Sequence, residues 1–71
     1  MARNAAINER MKREKARRMD EILLAARTLM LAKSYTGATM DEIAAEAGIT
    51  KPTIYQYFRT KDELIVALVE P

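Results

Sequence analysis

The chain has 71 residues, with 12 Lys+Arg against 10 Asp+Glu and no His, Cys or Trp. A chain of this length makes one small domain that hides only about 60% of the surface its unfolded form exposes, with no disulfide or Cys/His-ligated metal to reinforce it. The missing residue types exclude imidazole-based metal catalysis, a cysteine nucleophile and a Ser-His-Asp triad. Neither an apolar run of about 18 residues nor a signal-peptide core is present, so a cytoplasmic protein without a membrane segment is expected.

The net charge of +2 hides an asymmetry. Arg3, Arg10, Lys12, Arg13, Lys15, Arg17 and Arg18 face only Glu9 and Glu14 within residues 1–18, a balance of +5, whereas residues 19–71 hold five basic and eight acidic residues, a balance of −3. From Ala47 to Lys61 there is again no carboxylate, while Lys51, Arg59 and Lys61 are present. A basic arm followed by a second acid-free window is the pattern of a polyanion binder.

The first 33 residues are strong helix formers, with no Gly or Pro before Gly37. Met19, Ile22, Leu23, Ala26, Leu29 and Met30 form one apolar stripe and predict helix 1 at about 19–33. Ile7 and Met11, one turn apart, and the i,i+4 pairs Glu9/Arg13 and Glu14/Arg18 allow it to extend back into the arm. Ser34 to Ala38 reads as a loop. Thr39-Met40-Asp41-Glu42 is a capping box that opens helix 2, and Gly48 is the expected left-handed residue that stops it. Thr50 caps helix 3, at about 51–58, and tolerates Pro52 in the first turn. Thr60-Lys61-Asp62-Glu63 is a second capping box, and helix 4 follows with Leu64, Ile65, Val66, Ala67, Leu68 and Val69.

Gly48-Ile49-Thr50 has the length of the turn in a helix-turn-helix unit. Ala44 is small enough for a close helix crossing, Ile49 plugs the corner, and Ile54 with Phe58 gives helix 3 an inward face. Pro52 and Gln56 then point outward, with Thr53 and Tyr55 on the shoulders beside Lys51. These side chains reach base edges and phosphates. Helices 2 and 4 carry acid pairs in their first turns, Asp41/Glu42 and Asp62/Glu63, as the helix dipole favours. Helix 3 has Thr53 where the others have Glu, which leaves its N-terminus electropositive. The acid pairs need no catalytic explanation, and no enzyme is expected.

Ile22-Leu23-Leu24-Ala25-Ala26, Leu29-Met30 and Tyr35, then Thr39 to Ala44, Ala47 to Phe58 and Lys61 resemble the DNA-binding domain of TetR-family regulators over residues 19–69. The resemblance implies an all-α fold, a small helical bundle with a homeodomain-like three-helix core plus the start of helix 4. It divides the chain into a basic arm, residues 1–18, either disordered or a helix 1 extension, and a helix-turn-helix domain, residues 19–71. It further implies that Thr39 caps helix 2 and binds phosphate, that Lys51, Pro52 and Thr53 enter the major groove with Gln56 near the bases, and that Tyr55, Tyr57 and Lys61 hold phosphates. Thr50 joins this DNA-binding set. Simpler roles stay open: caps alone for Thr39 and Thr50, partial burial for Tyr57, solvation for Lys61. Ser34 stands where the family usually has Gly, and Ala38 where a Thr often precedes the capping Thr, so an altered helix 1–2 loop is expected.

In the arm, Arg3, Arg10, Arg13 and Arg17 are candidate contacts, either to the minor groove or along phosphates, the alternative being a solvated tail. Two apolar anchors, Ile7 and Met11, are too few for a membrane surface. Leu24 and Leu31 lie opposite the helix 1 stripe, and helix 4 is apolar almost all round. Together with the length of family members this predicts a fragment that lacks a C-terminal ligand-binding and dimerisation domain. The expected partners are a pseudo-palindromic double-stranded DNA operator, a second copy in the full-length protein, and a small-molecule effector through the absent domain only, with no cofactor or metal. The expected role is a nucleoid-associated repressor. The rival is a protein-interaction module using helix 4 and the back of helix 1.

Overall fold

The computed structural model describes the backbone of residues 2–70 and the side chains of residues 8–70. Four helices follow in order: α1 (Ala2–Gly37), α2 (Met40–Ala47), α3 (Lys51–Tyr57) and α4 (Lys61–Val69). There is no strand among the described residues.

Helix α1 is much longer than the span of about 19–33 that its apolar stripe predicts. An unbroken run of helix formers lets it begin at Ala2. The i,i+4 pair that closes is Arg17–Glu21, at 4.0 Å, alongside the same spacing in Glu9/Arg13 and Glu14/Arg18. At its other end, the predicted loop from Ser34 to Ala38 is a single extra turn, closed by the Ala38 N–H donating to the Ser34 carbonyl at 3.2 Å.

The break before that turn is Ser34 itself, at φ 73°, ψ 169°. This region of backbone space is essentially reserved for glycine and costs a side-chain-bearing residue on the order of 1–3 kcal/mol. Ser34, where the resemblance leads one to expect Gly, thus carries its side chain at a positive φ. Ser34→Gly is expected to stabilise the domain by about 1 kcal/mol after the greater entropy of an unfolded glycine is subtracted. Thermal unfolding followed by circular dichroism should show a midpoint higher by about 4–8 °C; a lower midpoint would contradict the strain.

The core is one cluster: Ile22, Ala25 and Ala26 from α1, Met40, Ile43 and Ala44 from α2, Ile54 from α3, Phe58 after it, and Leu64 from α4. Ala38, in the position flagged for departing from the family pattern, is also fully buried. Ala44 is small and buried within this cluster. Gly48 (φ 76°, ψ 28°) ends α2 in the left-handed conformation. Its N–H donates to the Ala45 carbonyl at 3.1 Å and that of Ile49 to the Ala44 carbonyl at 2.9 Å, the two bonds of a Schellman ending. That ending turns the chain into α3 within three residues, and Ile49 packs half-buried on the core.

Candidate nucleic-acid interface

Helix α3 is held inward by Ile54 and Phe58, both buried, and by half-buried Tyr57. Turning Ile54 inward aims the opposite side outward. Lys51, Pro52, Tyr55 and Gln56 are exposed and Thr53 is half-buried. The exposed face contains no carboxylate of its own. Lys51 Nζ lies 3.4 Å from Asp41 Oδ1 at the start of α2, an exposed pair of the kind worth at most about 1 kcal/mol. The Lys51 ammonium is thus weakly held by a neighbouring helix and stays exposed. Tyr57 bridges the two sides, packing on the core cluster while remaining half-exposed.

The three N-termini differ as the sequence predicts, with two corrections, one at Glu63 and one at Thr50. Thr39 Oγ1 accepts from the Glu42 N–H at 3.1 Å, and Glu42 Oε1 accepts from the Thr39 N–H at 3.2 Å and from its hydroxyl at 3.1 Å, a complete capping box. Thr60 Oγ1 accepts from the Glu63 N–H at 3.1 Å. Glu63, however, reaches back to the Arg59 N–H at 2.9 Å, one residue earlier than a full box requires. Thr50 occupies the N-cap position of α3 but makes no side-chain capping bond. With Thr53 in place of Glu three residues on, the two hydroxyls bond each other instead, at 2.8 Å.

Lys61 is half-buried, its Nζ donating to the Tyr35 carbonyl and lying 4.4 Å from the centre of the Tyr35 ring. An ammonium has three N–H donors, so this bond leaves two. The Tyr35 hydroxyl donates to Asp62 Oδ1 at 2.6 Å. That carboxylate, with some desolvation, raises the Tyr35 pKa above its ordinary value. Tyr35, Lys61 and Asp62 thus latch the α1–α2 connection to the first turn of α4. Local sequence patterns give no sign of this latch, because its partners are 26 and 27 residues apart.

A second link joins α1 to α2 through the Lys33–Glu42 ion pair. The Lys33 ammonium, then the Thr39 backbone N–H and hydroxyl, hold the Glu42 carboxyl below its usual 4.5. A carboxyl depressed in the folded state stabilises fully above its unfolded pKa, and that contribution is lost as pH falls through the folded value. The thermal-midpoint gap between the wild type and Glu42→Gln is expected to narrow as pH drops from 6 to below 4.5. A gap independent of pH would contradict the charged interaction.

Of the arm candidates, Arg10, Arg13 and Arg17 are exposed on α1; the side chain of Arg3 lies outside the described residues. Arg10, Arg13, Glu14 and Arg17 border a shallow concavity on one flank of the helix. No group of three or more His, Cys, Asp or Glu with metal-binding geometry occurs among the described residues. None of their helices is long and apolar enough to cross a membrane.

Residues 22–68 match the family model of bacterial regulatory proteins of the tetR family. The chain belongs to the TetR family. It is 42% identical over 53 residues to the HTH-type transcriptional activator FasR of Mycolicibacterium smegmatis, covering 75% of this chain and 24% of FasR. It is 36% identical over 50 residues to the HTH-type transcriptional regulator EthR of the same organism, covering 70% and 23%. An uncharacterized HTH-type transcriptional regulator of Bacillus subtilis, YvaF, is 36% identical over 52 residues, covering 73% and 27%. This TetR-family chain therefore spans about a quarter of the length of the curated relatives it matches. No solved structure matches it significantly. The matched residues form the all-α, helix-turn-helix DNA-binding domain of a TetR-family transcriptional regulator, and the relatives are named as regulators of transcription, not as enzymes.

Proposed function

We propose that this domain binds double-stranded DNA sequence-specifically by laying α3 in the major groove. The observation that carries this is the carboxylate-free exposed face of α3, Lys51, Pro52, Tyr55 and Gln56, set opposite buried Ile54 and Phe58. Lys51, Pro52 and Thr53 meet base edges and Gln56 lies near them. Tyr55, the exposed side of Tyr57, the Thr50 hydroxyl and the remaining N–H donors of Lys61 hold phosphates on either side, and the Thr39 hydroxyl joins them by giving up its bond to Glu42 Oε1.

In the whole regulator, two such heads related by a two-fold axis would read a pseudo-palindrome with half-sites about 34–36 Å apart. Leu24 (64% exposed), Leu31 (84%), Val66 (51%) and Val69 (75%) are exposed on α1 and α4. This apolar surface is where the rest of the regulator seats, including the part that pairs two copies and takes an effector. The protein would act on the nucleoid in the cytoplasm and repress where its site overlaps a promoter. FasR, named an activator, is a relative whose name carries the opposite sign. Those same exposed apolar side chains favour a second reading, in which they dock a protein partner and α3 has no ligand.

The test is fluorescence anisotropy of the chain against a labelled mixed-sequence duplex, titrated with salt. Roughly four to six phosphate contacts predict a slope of log K against log salt of about −4 to −5. Absence of binding at low salt would overturn the DNA reading of this chain in favour of the protein-partner one.

A further inference from the structure

The N-terminal half of α1 runs past the core. Met19 is the first side chain of the helix packed on the core cluster, and residues 8–17 are all exposed. At 1.5 Å per residue, the stretch from Ala2 to Arg17 reaches roughly 24 Å, in keeping with a longest dimension of 48 Å against 26 and 17 Å for the others. The family match begins at residue 22 and leaves this stretch outside it.

The overhanging helix faces α3. Met11, Glu14, Lys15, Arg17 and Arg18 form one wall of a cleft of about 480 Å³, and Gln56 and Tyr57 form the other. The α1 wall has three cations against one carboxylate, and Glu14 is spaced i,i+4 from Arg18, so its net charge is +2. Arg10 and Arg13 extend the positive surface around the flank. Only an anion suits such a wall, and its opposite wall continues the α3 face already assigned to DNA. Among the described residues of the arm, Met11 is the one large apolar side chain, so the cleft lacks the apolar face that a lipid surface needs.

We infer that this cleft takes the sugar–phosphate backbone of duplex DNA at the edge of the major groove that α3 enters, with Lys15, Arg17 and Arg18 as its phosphate contacts. The inference rests on the DNA reading of α3 and extends that interface onto α1. Lys15 and Arg18 are not apparent as a pair with α3 from sequence, because only the crossing of α1 past α3 brings them to it.

The test measures salt slopes by anisotropy with the same mixed-sequence duplex. Lys15→Gln and Arg18→Gln are each expected to make the slope shallower by about 0.9. Arg27→Gln, on the side of α1 beside Ala67 and Leu68 of α4, is expected to leave it unchanged. Arg18 is half-buried, so circular dichroism accompanies each variant, and the exposed Lys15 decides the matter if Arg18→Gln loses helicity. Unchanged slopes for Lys15→Gln beside a steep wild-type slope would overturn the cleft and leave the α3 reading standing. An equal loss from Arg27→Gln would reduce the effect to overall charge and overturn the cleft as well. A wild type that binds no duplex overturns both readings, and tighter binding to phosphatidylserine–phosphatidylcholine vesicles than to the duplex would assign the arm to membranes instead.

Discussion

Ile54→Ala is expected to cost about 2–5 kcal/mol, the range for truncating a large buried aliphatic side chain. Ile54 is 0% exposed and is the one buried residue within α3. A seven-residue helix has no stability of its own in water, so α3 exists because Ile54 and the following Phe58 fasten it to the core. A domain of this size has roughly 4–10 kcal/mol in total, at about 0.05–0.15 kcal/mol per residue. The substitution therefore removes a large share of the folding free energy and releases the surface proposed to meet DNA. Urea unfolding followed by circular dichroism measures it, and a loss below about 1 kcal/mol would mean that α3 is held by something other than its buried face.

Tyr55→Ala separates binding from folding. Tyr55 is 39% exposed on the outward shoulder of α3, and its truncation should change stability by no more than about 0.5 kcal/mol, as for surface sites in general. Duplex affinity should fall at least about tenfold, the equivalent of about 1.4 kcal/mol. Unchanged affinity would remove Tyr55 from the interface. An equal loss of affinity and stability would show that its role is structural.

Features set by neighbouring residues were legible in the sequence. The Thr39/Glu42 box, the left-handed Gly48, and the inward Ile54 and Phe58 follow from spacing and local backbone chemistry, and all appear where that chemistry places them. The Tyr-x-Tyr-Phe stretch and the Gly48 turn also carried the family, which the match over residues 22–68 shows. Features that depend on distant partners were not legible. Nothing near Lys61 announces Tyr35, because the link exists only once α4 packs beside the end of α1.

Ser34 shows a subtler limit. Its departure from glycine was visible, but the positive φ that makes it costly belongs to the route the chain takes into α2. Thr50 shows the reverse: its N-cap position was legible, while its hydroxyl turned to Thr53 because no Glu stands there. The arm's charge could be counted, yet its direction past Gln56 and Tyr57 depends on how α1 crosses the bundle.

Everything proposed for this domain depends on the outward face of α3 meeting DNA. Titrating the 15N-labelled chain with a short duplex and following its amide resonances tests this most directly. The largest shifts are expected at Lys51, Thr53, Tyr55, Gln56 and Tyr57, with the amides of Ile22 and Ile43 little changed. Shifts confined to Leu24, Leu31, Val66 and Val69, or none at a saturating excess of duplex, would contradict it.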